Sequence, residues 1–209
     1  DEDAANQLNT VGWHFNSAAV ESTFLKFGWN WASGWEFTGL PVRFFLQQDA
    51  LNPDLALPRV AIFLNPLTMT LEQGEAIRDR FERDGRAVVY MTSPGLAAPG
   101  TPDNPSLITG FKIRPDVPGT ANKVLQICAD DPLFAGMAPG SQLGLYNVWG
   151  AMDWSTSPVA APDSPGKVLA RYHNTDLAGM LVDRNADRTK VWIGAPGALN
   201  IPLIRNLAR

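Results

Sequence analysis

The stretch that most constrains the fold is residues 59–91, RVAIFLNPLTMTLEQGEAIRDRFERDGRAVVYM. It opens on an almost continuous apolar run at 59–64 and closes on another at 86–91. Runs without polar alternation suit strands buried on both faces, as in a parallel sheet. Between them, Thr70-Leu71-Glu72-Gln73 has the form of a capping box, in which a threonine oxygen and a glutamine side chain satisfy each other's backbone N–H groups. Ile77 and Phe81 continue one helical face, and Gly85 supplies a stop. Strand, helix and strand with connections this short predict a βαβ unit with a right-handed crossover.

The remainder extends this pattern. Asn16 or Ser17 is placed to cap a helix over 17–37, with Val20, Phe24, Phe27, Trp31 and Trp35 on one stripe and Gly39-Leu40-Pro41 ending it. Residues 41–46, PVRFFL, read as a strand. Residues 93–121 are dense in proline and glycine and predict a long surface excursion with one short helix at 104–110. A short strand at 124–127 precedes loops through Asp153. Residues 167–172 and 177–182 flank a turn at His173-Asn174-Thr175-Asp176, and 190–193 follows the polar turn RNADRT, which gives an antiparallel meander. Asn200-Ile201-Pro202 starts a final helix, with the proline in the first turn. The expected fold is α/β: a flavodoxin-like three-layer sandwich over 1–209, with a mostly parallel sheet and an antiparallel C-terminal extension.

The runs LPRVAIFLNPLTMTLEQGEAIRDRFERDGRAVVYMTSPG and KVLARYHNTDLAGMLVDRNADRTKVWIGAPGALNIPLIRNLAR together resemble the flavodoxin-like trimerisation domain of family 42-type β-galactosidases, within the glutamine-amidotransferase-like superfamily. In that family the domain follows a (β/α)8 barrel that carries two catalytic carboxylates, and it helps subunits associate. The resemblance therefore implies a module without a bond-breaking site of its own and without a cofactor. Its implied partners are an upstream (β/α)8 catalytic domain or sister subunits, with carbohydrate as a further ligand. A barrel needs ~250 residues and is not encoded here. The family's first strand lies near the centre of the sheet, just before the first helix, whereas residues 1–16 hold no apolar strand. The expectation is a fragment of a longer polypeptide, beginning after that strand and stopping within a helix at Arg209, with an upstream segment pairing between strands led by Phe44 and Ile62.

Class I amidotransferases place a cysteine nucleophile on a G-x-C-x-G elbow after a strand. The matching strand end here is Met91-Thr92-Ser93-Pro94-Gly95, with Ser93 in the elbow-like place. The preceding glycine is missing, Pro94 removes an N–H from the oxyanion site, and no His-x-Glu follows in the C-terminal third. No catalytic residue is assigned, and Ser93 reads as a solvated turn serine. Ligands in open α/β sheets bind at the carboxyl ends of the strands. That edge would gather Asp1 and Asp3 with Asn65 and Ser93, the candidate ligand-binding set. Trp13 and Trp29 lie off the stripe of the first helix and are candidates for a partner-facing or sugar-stacking surface. His14, between Trp13 and Phe15, would pack at the mouth of the domain, and His173 would sit exposed in its turn. Cys128 reads as a buried or half-buried structural thiol, and Asp130 and Asp131 as a turn or helix cap.

Charge and composition exclude several classes. A net charge of −4 gives no basic footprint for nucleic acid or acidic membranes. One cysteine and two histidines leave no disulfide framework and no soft-metal site. There is no phosphate-cradling glycine motif and no apolar stretch of membrane-spanning length. The start lacks an export signal, so the compartment stays open between cytoplasm and export after signal removal. The functional expectation is a non-catalytic accessory or subunit-association domain of a β-galactosidase-like glycoside hydrolase. The alternatives are a free-standing amidotransferase-like or small-molecule-binding domain, and a carbohydrate-binding module using exposed tryptophans.

Overall fold

The computed structural model describes residues 39–41, 43, 45–64, 66–100, 102–118, 124–144, 156–195 and 198–209. The expected helix 17–37 lies outside them, as do Asp1, Asp3, Trp13, His14, Trp29 and Asn65.

The βαβ unit forms where the apolar runs placed it. Strand β1 (Val60–Phe63) and strand β2 (Arg86–Met91) pair in parallel, joined by helix α1 (Leu71–Phe81). The capping box closes α1 as its residues require: Thr70 accepts from the Gln73 N–H, and the Gln73 side chain accepts from the Thr70 N–H. Helix α2 (Asn104–Thr109) leads into strand β3 (Ile113–Pro118). Then come β4 (Leu125–Ile127), a 3₁₀ turn at Pro132–Phe134, β5 (Gln142–Leu143) and β6 (Thr156–Ala160). The C-terminal part holds β7 (Lys167–Tyr172), β8 (Ala178–Arg184), β9 (Arg188–Ile193) and helix α3 (Ile201–Leu207), capped by the Asn200 side chain on the Leu203 N–H.

The flavodoxin-like sandwich is overturned. Among the described residues the molecule is mostly β, a curled mixed sheet of nine strands with three helices of 11, 6 and 7 residues. The strand order is β1-β2-β9-β8-β7-β4-β5, with β3 and β6 branching from β8. Only the β1–β2 and β2–β9 pairs are parallel; every other pair is antiparallel. The C-terminal meander, β7 to β9, is therefore the middle of the sheet and not its extension.

Two local expectations fail with it. No strand forms at the described positions 41, 43, 45 and 46; Leu46 instead caps a 3₁₀ helix at Gln47–Leu51, and Phe45 is exposed. The region 93–121 is no surface excursion, because Asn104, Ile108, Thr109, Phe111 and Ile113 are buried and β3 lies inside it.

Strand alternation divides the interior into two cores. Ala87, Val89, Met91, Met180, Val182, Val191 and Ile193 face one side, covered by Leu203, Ile204 and Leu207 of α3 and by Leu133 and Phe134. Val88, Tyr90, Leu181 and Trp192 face the other, covered by Ile77 and Phe81 of α1 and by Ile108, Phe111 and Ile113. Because successive side chains point to opposite faces, the continuous apolar runs at 86–91 and 191–193 serve both cores at once.

Candidate functional site

The carboxyl ends of the parallel strands meet at one rim of the sheet. Thr92 and Ser93 follow β2, and Gly194 and Ala195 follow β9 beside them. Thr92 has φ of 61°, in the left-handed region. A β-branched residue is strained there, and such outliers persist only where surroundings hold them. Three hydrogen bonds do so. The Thr92 N–H donates to the Ile193 carbonyl at 2.8 Å, its hydroxyl donates to the Met91 carbonyl at 2.6 Å, and the Trp192 indole donates to the Thr92 carbonyl at 2.8 Å. The last of these seats Trp192, which is 0% exposed, across the end of β2.

The elbow is thus centred one residue earlier than the sequence suggested. Ser93 is no solvated turn serine: it is 3% exposed, and its carbonyl accepts from the Leu96 N–H. Of the candidate ligand set, Ser93 alone lies among the described residues. His173 follows β7, three strand spacings from β2, or about 14 Å of sheet at ~4.8 Å per strand. A general base must come within hydrogen-bond reach, about 3 Å. Its ring contacts instead the Gln142 amide at 3.3 Å. Cys128, expected buried or half-buried, is exposed, and its backbone N–H donates to the Leu169 carbonyl of the neighbouring strand.

The titratable groups that matter electrostatically sit elsewhere. On the α1 side of the sheet, Arg188 bridges Glu82 at 3.1 Å and Asp183 at 2.7 Å, while Lys190 Nζ lies 3.8 Å from each carboxylate and 4.8 Å from the centre of the Phe111 ring. Arg188 Nε faces Glu82 without hydrogen-bond alignment. The Tyr90 hydroxyl donates to Glu82 at 3.2 Å. Burial pushes the Glu82 carboxyl up from its ordinary range, with Lys190, Arg188 and Tyr90 offsetting part of the effect. Burial likewise pushes the Lys190 ammonium down, against the pull of Glu82. Lys190 is in register with Val88 of β2, so this cluster lies about 13 Å along the strand from Thr92 and cannot serve the rim.

A second ionic group sits on the other core. Asp131 caps the 3₁₀ turn through the Leu133 N–H, as a cap was expected there, and receives Arg184 in bidentate fashion at 2.6 and 2.8 Å. Burial works to raise its carboxyl, but the Arg184 and Leu133 hydrogen bonds and the charges of Arg184 and Lys167 outweigh that and hold it below the ordinary range. Neither ionic group was anticipated. One signal was available: Lys190 shares strand parity with Trp192, which places an ammonium on an inward face.

Among the described residues no cluster of histidine, cysteine and carboxylates has a metal-holding arrangement, and no helix is long and apolar enough to cross a membrane. No family model matches the chain, and comparison with curated proteins returns no match.

Proposed function

We propose that this chain is a non-catalytic accessory or subunit-association domain of a β-galactosidase-like glycoside hydrolase. The observation that supports this reading is the state of the β2 elbow. Its strained position is held by Thr92, its serine is buried at 3% exposure, and His173, the histidine among the described residues, is engaged with Gln142 several strands away. Nucleophilic catalysis needs an exposed nucleophile with a base in hydrogen-bond reach. Among the described residues the rim's hydroxyls are a buried Ser93 and a Thr92 that donates to the Met91 carbonyl, an arrangement suited to structural use.

The test is turnover by the purified chain. It is expected to release no ammonia from glutamine and no nitrophenol from a nitrophenyl galactoside. Turnover that Thr92→Ala or Ser93→Ala abolishes would overturn the reading and return the chain to the amidotransferase-like class.

A further inference from the structure

Strand β1 is built like an inner strand but lies at the end of the sheet. Among the described residues only β2 pairs with it, and no further hydrogen bond reaches its other side. The Arg59 carbonyl accepts from the Ala87 N–H, so strand alternation turns the backbone groups of Val60 and Ile62 outward. The sheet's other ends are blunted in the usual ways. Strand β5 is two residues long, and β3 carries Pro115 and Pro118 with a register shift between Arg114 and Val117. Strand β1 has no proline, no charge and no break in its register with β2.

The chemistry of the missing neighbour follows from the two faces. Val60, Ile62 and Leu64 pack toward the α3 core, whereas Ala61 and Phe63 belong to the α1 core. An added strand must be apolar on both faces. Among the described residues the other runs of that character are β2, β8 and β9, and each already has a neighbour on both sides. Among the described residues the run that matches and still has a free side is β1 itself.

We infer that the outer edge of β1 pairs antiparallel with β1 of a second copy of this chain, across a two-fold axis at Ile62. In that register Ile62 faces Ile62 and Val60 faces Leu64 on one side of the joined sheet, while Ala61 faces Phe63 on the other, small against large. No charge lies within 60–64, so no like charges are opposed. The outward N–H and carbonyl groups of the two Ile62 residues satisfy each other, as in a hydrogen-bonded antiparallel pair. The pairing is carried by the geometry of β1 alone and does not draw on a three-fold association of the trimerisation-domain kind, which a two-fold strand pair cannot supply.

The experiment uses residues 1–209 carrying Cys128→Ser, with sedimentation over a dilution series and cysteine cross-linking. Paired Ile62 residues would have Cα atoms about 5.5 Å apart, within the range that a disulfide spans. Paired Ala61 residues would be offset to about 8 Å, outside it. The expected result is a concentration-dependent dimer that Ile62→Cys locks under mild oxidation and Ala61→Cys does not. Ile62→Pro, which removes an outward N–H and spares the β2 ladder, should sediment as a monomer. A wild-type monomer at every concentration overturns the inference, as does a dimer that Ile62→Cys fails to lock, and neither result depends on how Ile62→Pro folds. Either failure leaves the absence of turnover, and with it the accessory role, untouched.

Discussion

Gly194 occupies a place where a single methyl group decides the packing of three strands. Its N–H donates to the Gly179 carbonyl at 2.8 Å. A Cβ there would lie 2.6 Å from the Pro158 carbonyl oxygen and 2.7 Å from the Tyr172 hydroxyl, two groups that bond each other at 2.8 Å. Neither can yield without breaking that part-buried bond. Overpacking and a lost hydrogen bond together set the expected cost of Gly194→Ala at about 2–4 kcal/mol. Gly85→Ala is the contrast: its φ is 71°, so an added Cβ meets backbone strain, but nothing lies within 4 Å of it, and the change should cost only about 1 kcal/mol. Equal losses in denaturant melts of the two variants would refute the packing argument. Such close approaches are invisible in a sequence, because they depend on which strands become neighbours. For the same reason Ser93 was mistaken for the elbow residue: φ at Thr92 is imposed by Ile193 and Trp192, which are distant in the chain.

At the scale of elements, what was local was legible. The capping box of α1, the strands β1 and β2 and the Asn200 cap of α3 follow from a few consecutive residues. What ties α1 to the rest was not, because the cluster of Glu82, Asp183, Arg188 and Lys190 joins residues about a hundred positions apart. Glu82 and Lys190 have side chains 8% and 7% exposed, so removing one leaves its partner's buried charge poorly compensated. Glu82→Gln and Lys190→Met are each expected to cost up to about 3 kcal/mol, and the double variant less than their sum. The pH dependence has a definite sign. A carboxyl whose folded pKa is raised binds its proton more tightly in the folded state, so its contribution to stability grows as pH falls from that raised value towards the ordinary 4.5. Wild-type melting temperature should therefore rise relative to Glu82→Gln over this interval. A constant difference would mean that Glu82 titrates as an exposed carboxylate.

For the whole molecule, the α/β expectation followed from a true βαβ unit taken as representative of everything else. The strands that change the class are those that sequence patterns demote. Strand β3 contains Pro115 and Pro118, β6 contains Pro158, and each is tolerated at the branch that leaves β8. The resulting sheet is organised around β8, whose residues Ala178 to Val182 are all buried and which touches β9, β7 and β6. Strands of this kind open only with the whole fold, whereas edges open locally. Hydrogen exchange should accordingly find the slowest amides at Met180, Leu181, Val182, Val191 and Trp192, and faster ones at Gln142 and Leu143 of the short β5. The amide of Ile62 separates edge from interior. In a lone chain its N–H has no hydrogen-bond partner among the described residues and should exchange quickly, although its neighbours Ala61 and Phe63 are held by β2. If two β1 edges pair, Ile62 becomes as slow as they are, and its protection grows with protein concentration. Fast exchange at Ile62 at every concentration would leave β1 a true edge, with only its apolar side chains to protect it.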